Sequence, residues 1–223
     1  MYLLSSYGSF YEAILRSIMA ELTKTTRAAQ PMTSPGVPDL YQGAELWRVS
    51  LTDPDNRRPV SFPKRVRFLG ELKDLQLDSV PDKFAHLLGT WEDGRLKLWL
   101  TKCVLNFRRA HRELFQRGAY IPVETEGQHR QSVCSFARVV EKDWALVAAP
   151  RLVTRVVGPG KFPIGEVWGD SAMKLPALAP ARWENLFTCE KLAATRDRRE
   201  RSLRLTDVFS RLPFAVLVPE SPG

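Results

Sequence analysis

Two short stretches carry the residue types best suited to chemistry. In SPGVPDLYQGAELW, Pro35, Gly36 and Pro38 lead into Leu40 and then into Tyr41, Gln42, Gly43, Glu45 and Trp47. Prolines confine the ordered part to a strand of about five residues, Val37 to Tyr41, whose C-terminal end delivers polar groups. Sugar hydroxyls need planar hydrogen-bonding partners, and a pyranose ring face needs an aromatic surface. Gln42 and Glu45 supply the first, and Tyr41 with Trp47 the second. Read structurally instead, the same residues make a well-capped turn with Tyr41 in the core. The second stretch is DPDNRRPV, in which Asp53 and Asp55 are followed by Arg57 and Arg58. Carboxylates and guanidinium forks on one loop bind adjacent hydroxyls bidentately, or pair with one another and stiffen the loop.

These groups need a scaffold. Residues 9 to 29 place Tyr11, Ile14, Leu15, Ile18, Met19 and Leu22 at helical spacing behind Ser9 as N-cap and Glu12 three residues on, predicting an amphipathic helix that Pro31 stops. From Gln42 to Gly94 runs a long elaborated connection with two short helical stretches, near Arg65 to Leu75 and Asp82 to Leu88. The strongest periodicity lies between Arg95 and Gln116, where Leu96, Leu98, Trp99, Leu100, Cys103, Val104, Phe107, His111, Leu114 and Phe115 form a broad apolar face. Arg108, Arg109 and Arg112 suit its C-terminal half, and Gly118 closes it.

Beyond Ala119 the period changes. VCSFARVV, WALVAAPRLV, EVWGD, SLRLTDVF and FAVLV, separated by Gly, Pro and charged turns, predict a small antiparallel β-domain. Trp144, Trp168 and Trp183 are either a sugar-stacking platform on that domain or ordinary sandwich core.

Composition bounds the class. A chain of 223 residues that is 44% hydrophobic holds one full domain or two small ones. No run of about 18 apolar residues is present to span a bilayer, and the start lacks a signal peptide, so no membrane partner and a cytoplasmic location are expected. Cys103, Cys134 and Cys189 are widely spaced, with three histidines in the chain. Neither a disulfide framework nor a metal site follows, and no cofactor is expected. The net charge of +8 is scattered. Its densest cluster, TRDRRERSLR, is interrupted by Asp197 and Glu200 and has no interleaved aromatic, so it reads as a solvated hairpin or loop and not as a nucleic-acid patch.

Together PGVPDLYQGAELW, LTDPDNRRPV, DGRLKLWLTKCVLNFRRAHRELFQRGAYIPV, VCSFAR, VWGD and LPFAVLV resemble, in order and spacing from about Met32 to Val218, the C-terminal third of the maltooligosyltrehalose synthase family, within the α-amylase family. The resemblance implies an α+β fragment. The last strand, loop and helix of an incomplete (β/α)8 barrel occupy residues 35–118, an antiparallel all-β C-terminal domain occupies 119–223, and 1–34 is a helical remnant with an internal deletion. It also implies a reaction, conversion of the reducing-end α-1,4 linkage of a maltooligosaccharide to an α,α-1,1 linkage. The site residues carried over are Tyr41, Gln42, Glu45, Trp47, Asp53, Asp55, Arg57 and Arg58, all substrate-binding.

The family's catalytic carboxylates belong to earlier barrel strands, and its THDTKR-like stretch is missing here. No catalytic residue is therefore assigned, and the chain by itself is expected to be inactive. A separate upstream chain carrying the rest of the barrel is a candidate partner, and a maltooligosaccharide or glucan the candidate ligand. The alternative is a non-catalytic glucan-binding or interaction module. Without its barrel wall, the apolar face of the 95–116 helix is expected to be a liability unless the helix docks on the β-domain.

Overall fold

The computed structural model describes residues 32–33, 43–47, 59–73, 81–197 and 200–221. The helix expected over 9–29 and the strand expected over 37–41 lie outside the described residues. What is described begins with helices and ends in sheets.

Helix α1 spans Phe62–Glu71, with Pro63 in its first turn, where a missing N–H costs nothing. Helix α2 spans Pro81–Gly89. A 3-10 turn, Trp91–Asp93, leads through Gly94 into α3, Arg95–Ala110. The two short helices agree with the sequence reading to within a few residues, but the third is interrupted. His111 leaves helical geometry at φ −112°, ψ 53°, and a five-residue helix α4, Arg112–Gln116, follows. His111 Nδ1 sits 2.8 Å from Asp143 Oδ2, and its ring lies 4.3 Å from that of Phe107, so the kink is held by a contact across 32 residues of sequence.

Gly118 ends α4 as expected, though not by a left-handed cap. Its N–H donates to the Glu113 carbonyl at 3.2 Å. A Cβ there would lie 2.2 Å from the Leu114 oxygen and 3.1 Å from that of Val139. Close approach of two backbones fixes glycine at this position.

Among the described residues, ten strands follow in two antiparallel sheets. The six-stranded sheet has the order β1 (Ala119–Pro122), β3 (Val133–Val140), β4 (Asp143–Pro150), β10 (Ala215–Pro219), β6 (Arg182–Asn185) and β7 (Lys191–Ala193). The four-stranded sheet has the order β2 (Thr125–Glu126), β5 (Ala172–Leu175), β9 (Glu200–Arg204) and β8 (Thr195–Asp197). Strands β3 and β4 form a hairpin in register from Val133 opposite Pro150 to Val140 opposite Asp143. The basic stretch at 196–204 falls in the β8–β9 hairpin, with Arg196 opposite Arg201.

Three runs read as strand are not wholly so. WALVAAPRLV is strand only to Pro150, and Val153 opens a 3-10 turn, Val153–Arg155. EVWGD forms a 3-10 turn, Gly165–Trp168, because Gly165 and Gly169 both take positive φ and fold the chain over buried Trp168. SLRLTDVF is strand only to Arg204, and then becomes α5, Leu205–Val208. Leu205, Val208 and Phe209 are spaced i, i+3, i+4 and all three are buried, which is helical spacing.

The architecture is three layers: helices, six-stranded sheet, four-stranded sheet. Strand β4 shows why the middle layer must be apolar on both faces. Ala145, Val147 and Ala149 join a core that includes Phe68, Leu87, Trp99, Val104 and Leu114 from the helices. Trp144, Leu146 and Ala148 join a second core with Met173, Leu203 and Phe209. Leu96, Leu98, Trp99, Leu100, Cys103, Val104 and Phe107 of α3 are all buried. The expected liability is therefore corrected: the apolar face of α3 is covered, and the helix docks on the sheet.

Arg138 of β3 ties these layers together. Only 2% exposed, it donates through Nη2 to the Leu114 and Phe115 carbonyls at 3.1 and 3.0 Å. A cation at the last carbonyls of a helix satisfies groups that otherwise lack partners. Burial lowers the pKa of its guanidinium.

Candidate functional site

Of the eight residues assigned to substrate binding, Glu45 and Trp47 are described, while Tyr41, Gln42, Asp53, Asp55, Arg57 and Arg58 lie outside the described residues. Glu45 and Trp47 belong to a turn at 43–47 that begins with Gly43 at φ +90°. Its anchor is Leu46, 5% exposed. Gly94 receives that side chain. It takes φ +88°, and a Cβ there would lie 3.2 Å from Leu46 Cδ2 and 3.3 Å from Leu46 Cα. Glycine is thus required both for the left-handed entry into α3 and for the turn to approach.

The turn is fixed on two sides. Trp47 Nε1 donates to the Trp91 carbonyl at 2.6 Å, and the two indoles meet edge to face with centroids 5.7 Å apart. Lys97 Nζ lies 5.0 Å from the Trp47 ring centroid and 3.4 Å from the Leu46 carbonyl. On the other side, Arg65 of α1 donates to Glu45 Oε2 at 3.0 Å and to the Gly43 carbonyl at 2.8 Å.

Helix α1 is in turn locked to α3 by Arg95. Its guanidinium bonds Asp93 Oδ2 at 2.7 Å and Glu71 Oε2 at 3.2 Å, and lies 5.7 Å from the Phe68 ring centroid. Asp93 Oδ1 also accepts from the Arg95 backbone N–H at 2.7 Å, satisfying a free donor of the first turn.

Arg65, Trp91 and Lys97 were not anticipated from sequence. Trp91 alone had a signal, an aromatic residue three positions before the glycine that opens α3. Trp47 and Trp91 are both half-buried, and the Glu45 side chain is 36% exposed. The arrangement offers an aromatic wall, a carboxylate oriented by a guanidinium and an ammonium group. Such a set binds hydroxyls and ring faces; it contains no opposed pair of carboxylates able to act as nucleophile and acid.

Other candidate chemistry recedes. Trp144, Trp168 and Trp183 are 6%, 0% and 0% exposed. Trp168 and Trp183 satisfy their N–H groups on the carbonyls of Pro163 and Pro180, at 2.8 and 3.0 Å. They are core, which overturns the stacking-platform reading of the β-domain. Burial pushes the Cys103 thiol up to about 12, so it stays protonated and is no nucleophile. No cluster of three or more His, Cys, Asp or Glu capable of holding a metal occurs among the described residues, and no helix among them is long and apolar enough to cross a membrane.

A maltogenic alpha-amylase from Thermotoga neapolitana superposes with a TM-score of 0.54 over 89% of this chain and 37% of its own, at 12% identity, a likeness of fold alone.

Other likenesses extend to sequence as well as fold. The maltooligosyltrehalose synthase of Arthrobacter ramosus superposes with a TM-score of 0.65 at 27% identity, covering 88% of this chain and 22% of that one. A second solved maltooligosyltrehalose synthase gives 0.62 at 26% identity, over 97% and 24% of the two chains. In sequence, the putative maltooligosyl trehalose synthase of Mycobacterium tuberculosis is 37% identical over 146 residues, 65% of this chain and 15% of that protein. No family model matches the chain. By sequence and by fold the chain is thus related to maltooligosyltrehalose synthase, whose C-terminal region it matches, and it spans only about a sixth to a quarter of the length of these relatives.

Proposed function

We propose that this chain is the C-terminal part of an enzyme of trehalose biosynthesis, contributing one wall of a maltooligosaccharide site and no catalytic residue. The whole reaction would convert the reducing-end α-1,4 linkage to an α,α-1,1 linkage with retention. Such chemistry needs a carboxylate nucleophile and a carboxylic acid about 5–5.5 Å apart across the sugar, and capture of the glucosyl intermediate by the anomeric hydroxyl of the freed sugar in place of water. That pair would come from the earlier barrel strands, carried by a separate upstream chain or by further sequence of the same protein. This chain would supply hydroxyl contacts from Gln42, Glu45, Asp53, Asp55, Arg57 and Arg58, and ring contacts from Tyr41 and Trp47. Water exclusion would come partly from the same wall.

The observation that carries the reading is the 43–47 turn. It holds a half-exposed tryptophan and a half-exposed carboxylate two residues apart. The carboxylate is fixed by a donor from α1, and the tryptophan by donating to the Trp91 carbonyl in the turn before α3 and by the Lys97 ammonium of α3 over its ring. Incubation of the purified chain with maltopentaose tests it. Binding that quenches tryptophan fluorescence, with no loss of reducing ends, is expected, and formation of a non-reducing product by this chain alone would contradict the assignment. We place the protein in the cytoplasm, a setting in which the thiols of Cys103, Cys134 and Cys189 stay reduced.

A further inference from the structure

We infer that Arg65 is a positioning residue for this site: its guanidinium orients the Glu45 carboxylate toward ligand and fixes the turn that carries Trp47. The inference rests on the glucan-binding reading above and deepens it. Three of the five guanidinium donors are used on points far apart in sequence. Nε donates to Glu45 Oε2 at 3.0 Å, Nη2 to the Gly43 carbonyl at 2.8 Å, and Nη1 to the Ser61 carbonyl at 3.0 Å. Gly43 and Ser61 stand on either side of residues 48–58, so one side chain joins the chain before that segment to the chain after it.

The Arg65 side chain is 14% exposed, against 36% for Glu45. The inner partner is the orienting group, and the outer one faces solvent. With Oε2 held by Arg65, Oε1 accepts no bond from a described residue, leaving one oxygen of an oriented carboxylate for a sugar hydroxyl. An arginine is required for this role. A lysine has one nitrogen and no fixed fork, and cannot reach three acceptors set at these angles.

Maltopentaose titrations followed by tryptophan fluorescence, on the wild type and on Arg65→Lys, Glu45→Gln and the double variant, test the inference, with urea midpoints and backbone amide exchange measured on each. Arg65→Lys should weaken binding about tenfold while its urea midpoint stays close to that of the wild type. The amides of Ala44 to Trp47 should exchange faster. In the Glu45→Gln background the same substitution should cost little further affinity, because Arg65 acts through that carboxylate.

Equal losses in the two backgrounds would overturn the inference, as would unchanged exchange at 44–47 or unchanged affinity once the turn is loosened. Arg65→Gln serves as the second variant should the lysine variant fold poorly. A wild-type chain that binds no maltopentaose would remove the function proposed above and the ligand-facing part of this inference with it. The exchange measurement would still decide whether Arg65 holds the turn.

Discussion

The β-domain and the 43–47 turn both present tryptophans and charged groups, yet they use them in opposite ways. In the β-domain, Trp168 and Trp183 are fully buried and bond nearby proline carbonyls, only 5 and 3 residues away in sequence. Trp144 meets Trp183 edge to face inside the same core. In the turn, Trp47 reaches 44 residues along the chain to the Trp91 carbonyl and stays half-exposed. Aromatic content therefore does not mark a sugar site. The proposed sugar contact at Trp47 rests instead on an aromatic kept half-exposed by a bond to a distant element.

The contrast breaks most visibly at Trp168. Replacing it with Ala should destabilise the chain by about 3–5 kcal/mol in urea unfolding, as for other large-to-small changes at fully buried aromatics. Any lost glucan retention should track the unfolded fraction. A variant that keeps its midpoint but no longer binds glucan would return Trp168 to the ligand surface. Gly118→Ala should cost roughly 1–3 kcal/mol, because the new methyl meets two backbone oxygens that cannot move aside. An unchanged midpoint would show that α4 does not end against β3 as described.

The opposite signature is expected in the turn. Trp47→Ala should weaken maltopentaose about tenfold, or ~1.4 kcal/mol, and move the urea midpoint far less than Trp168→Ala does. A large stability loss without an affinity change would make Trp47 a core residue.

The smallest effect is expected at Glu220. A hydrogen bond from Lys191 at 2.8 Å, with Arg182 at 3.6 Å, holds its carboxyl below the usual range. A folded-state pKa lowered in this way stabilises the native state above the unfolded carboxylate's pKa, and the gain disappears as pH falls through the folded value. Glu220→Gln should therefore shift the midpoint slightly at neutral pH and not in acid. A shift that persists in acid would assign the effect to packing.

What the sequence revealed follows from the range of the forces involved. Helices α1 to α3, the β3–β4 hairpin and strand β10 were legible because local periodicity and turn residues dictate them. The 3-10 turn at Gly165–Trp168 and the short α5 were misread as strand. In the first, two glycines with positive φ override the β-formers Val167 and Trp168; in the second, burial of Leu205, Val208 and Phe209 selects helical spacing. The break at His111 depends on Asp143, which no local pattern announces.

At the candidate site, Glu45 and Trp47 were singled out by residue type. Arg65, Trp91 and Lys97 were missed because they lie 20 to 51 residues from their partners in the turn. The motif order from about Met32 to Val218 pointed to the maltooligosyltrehalose synthases that the chain is similar to in sequence and fold. The missing barrel wall also suggested an apolar liability on the 95–116 helix, which docking on the six-stranded sheet removes.

The central claim is that the chain holds a glucan wall without catalytic carboxylates, and maltopentaose incubated with the purified chain tests it most directly, read simultaneously for bound sugar and for reducing ends. Saturable binding that is weakened by Trp47→Ala, with reducing ends constant over time, is the predicted result. Loss of reducing ends with appearance of a trehalose-terminated product, or no binding at any concentration, would contradict it.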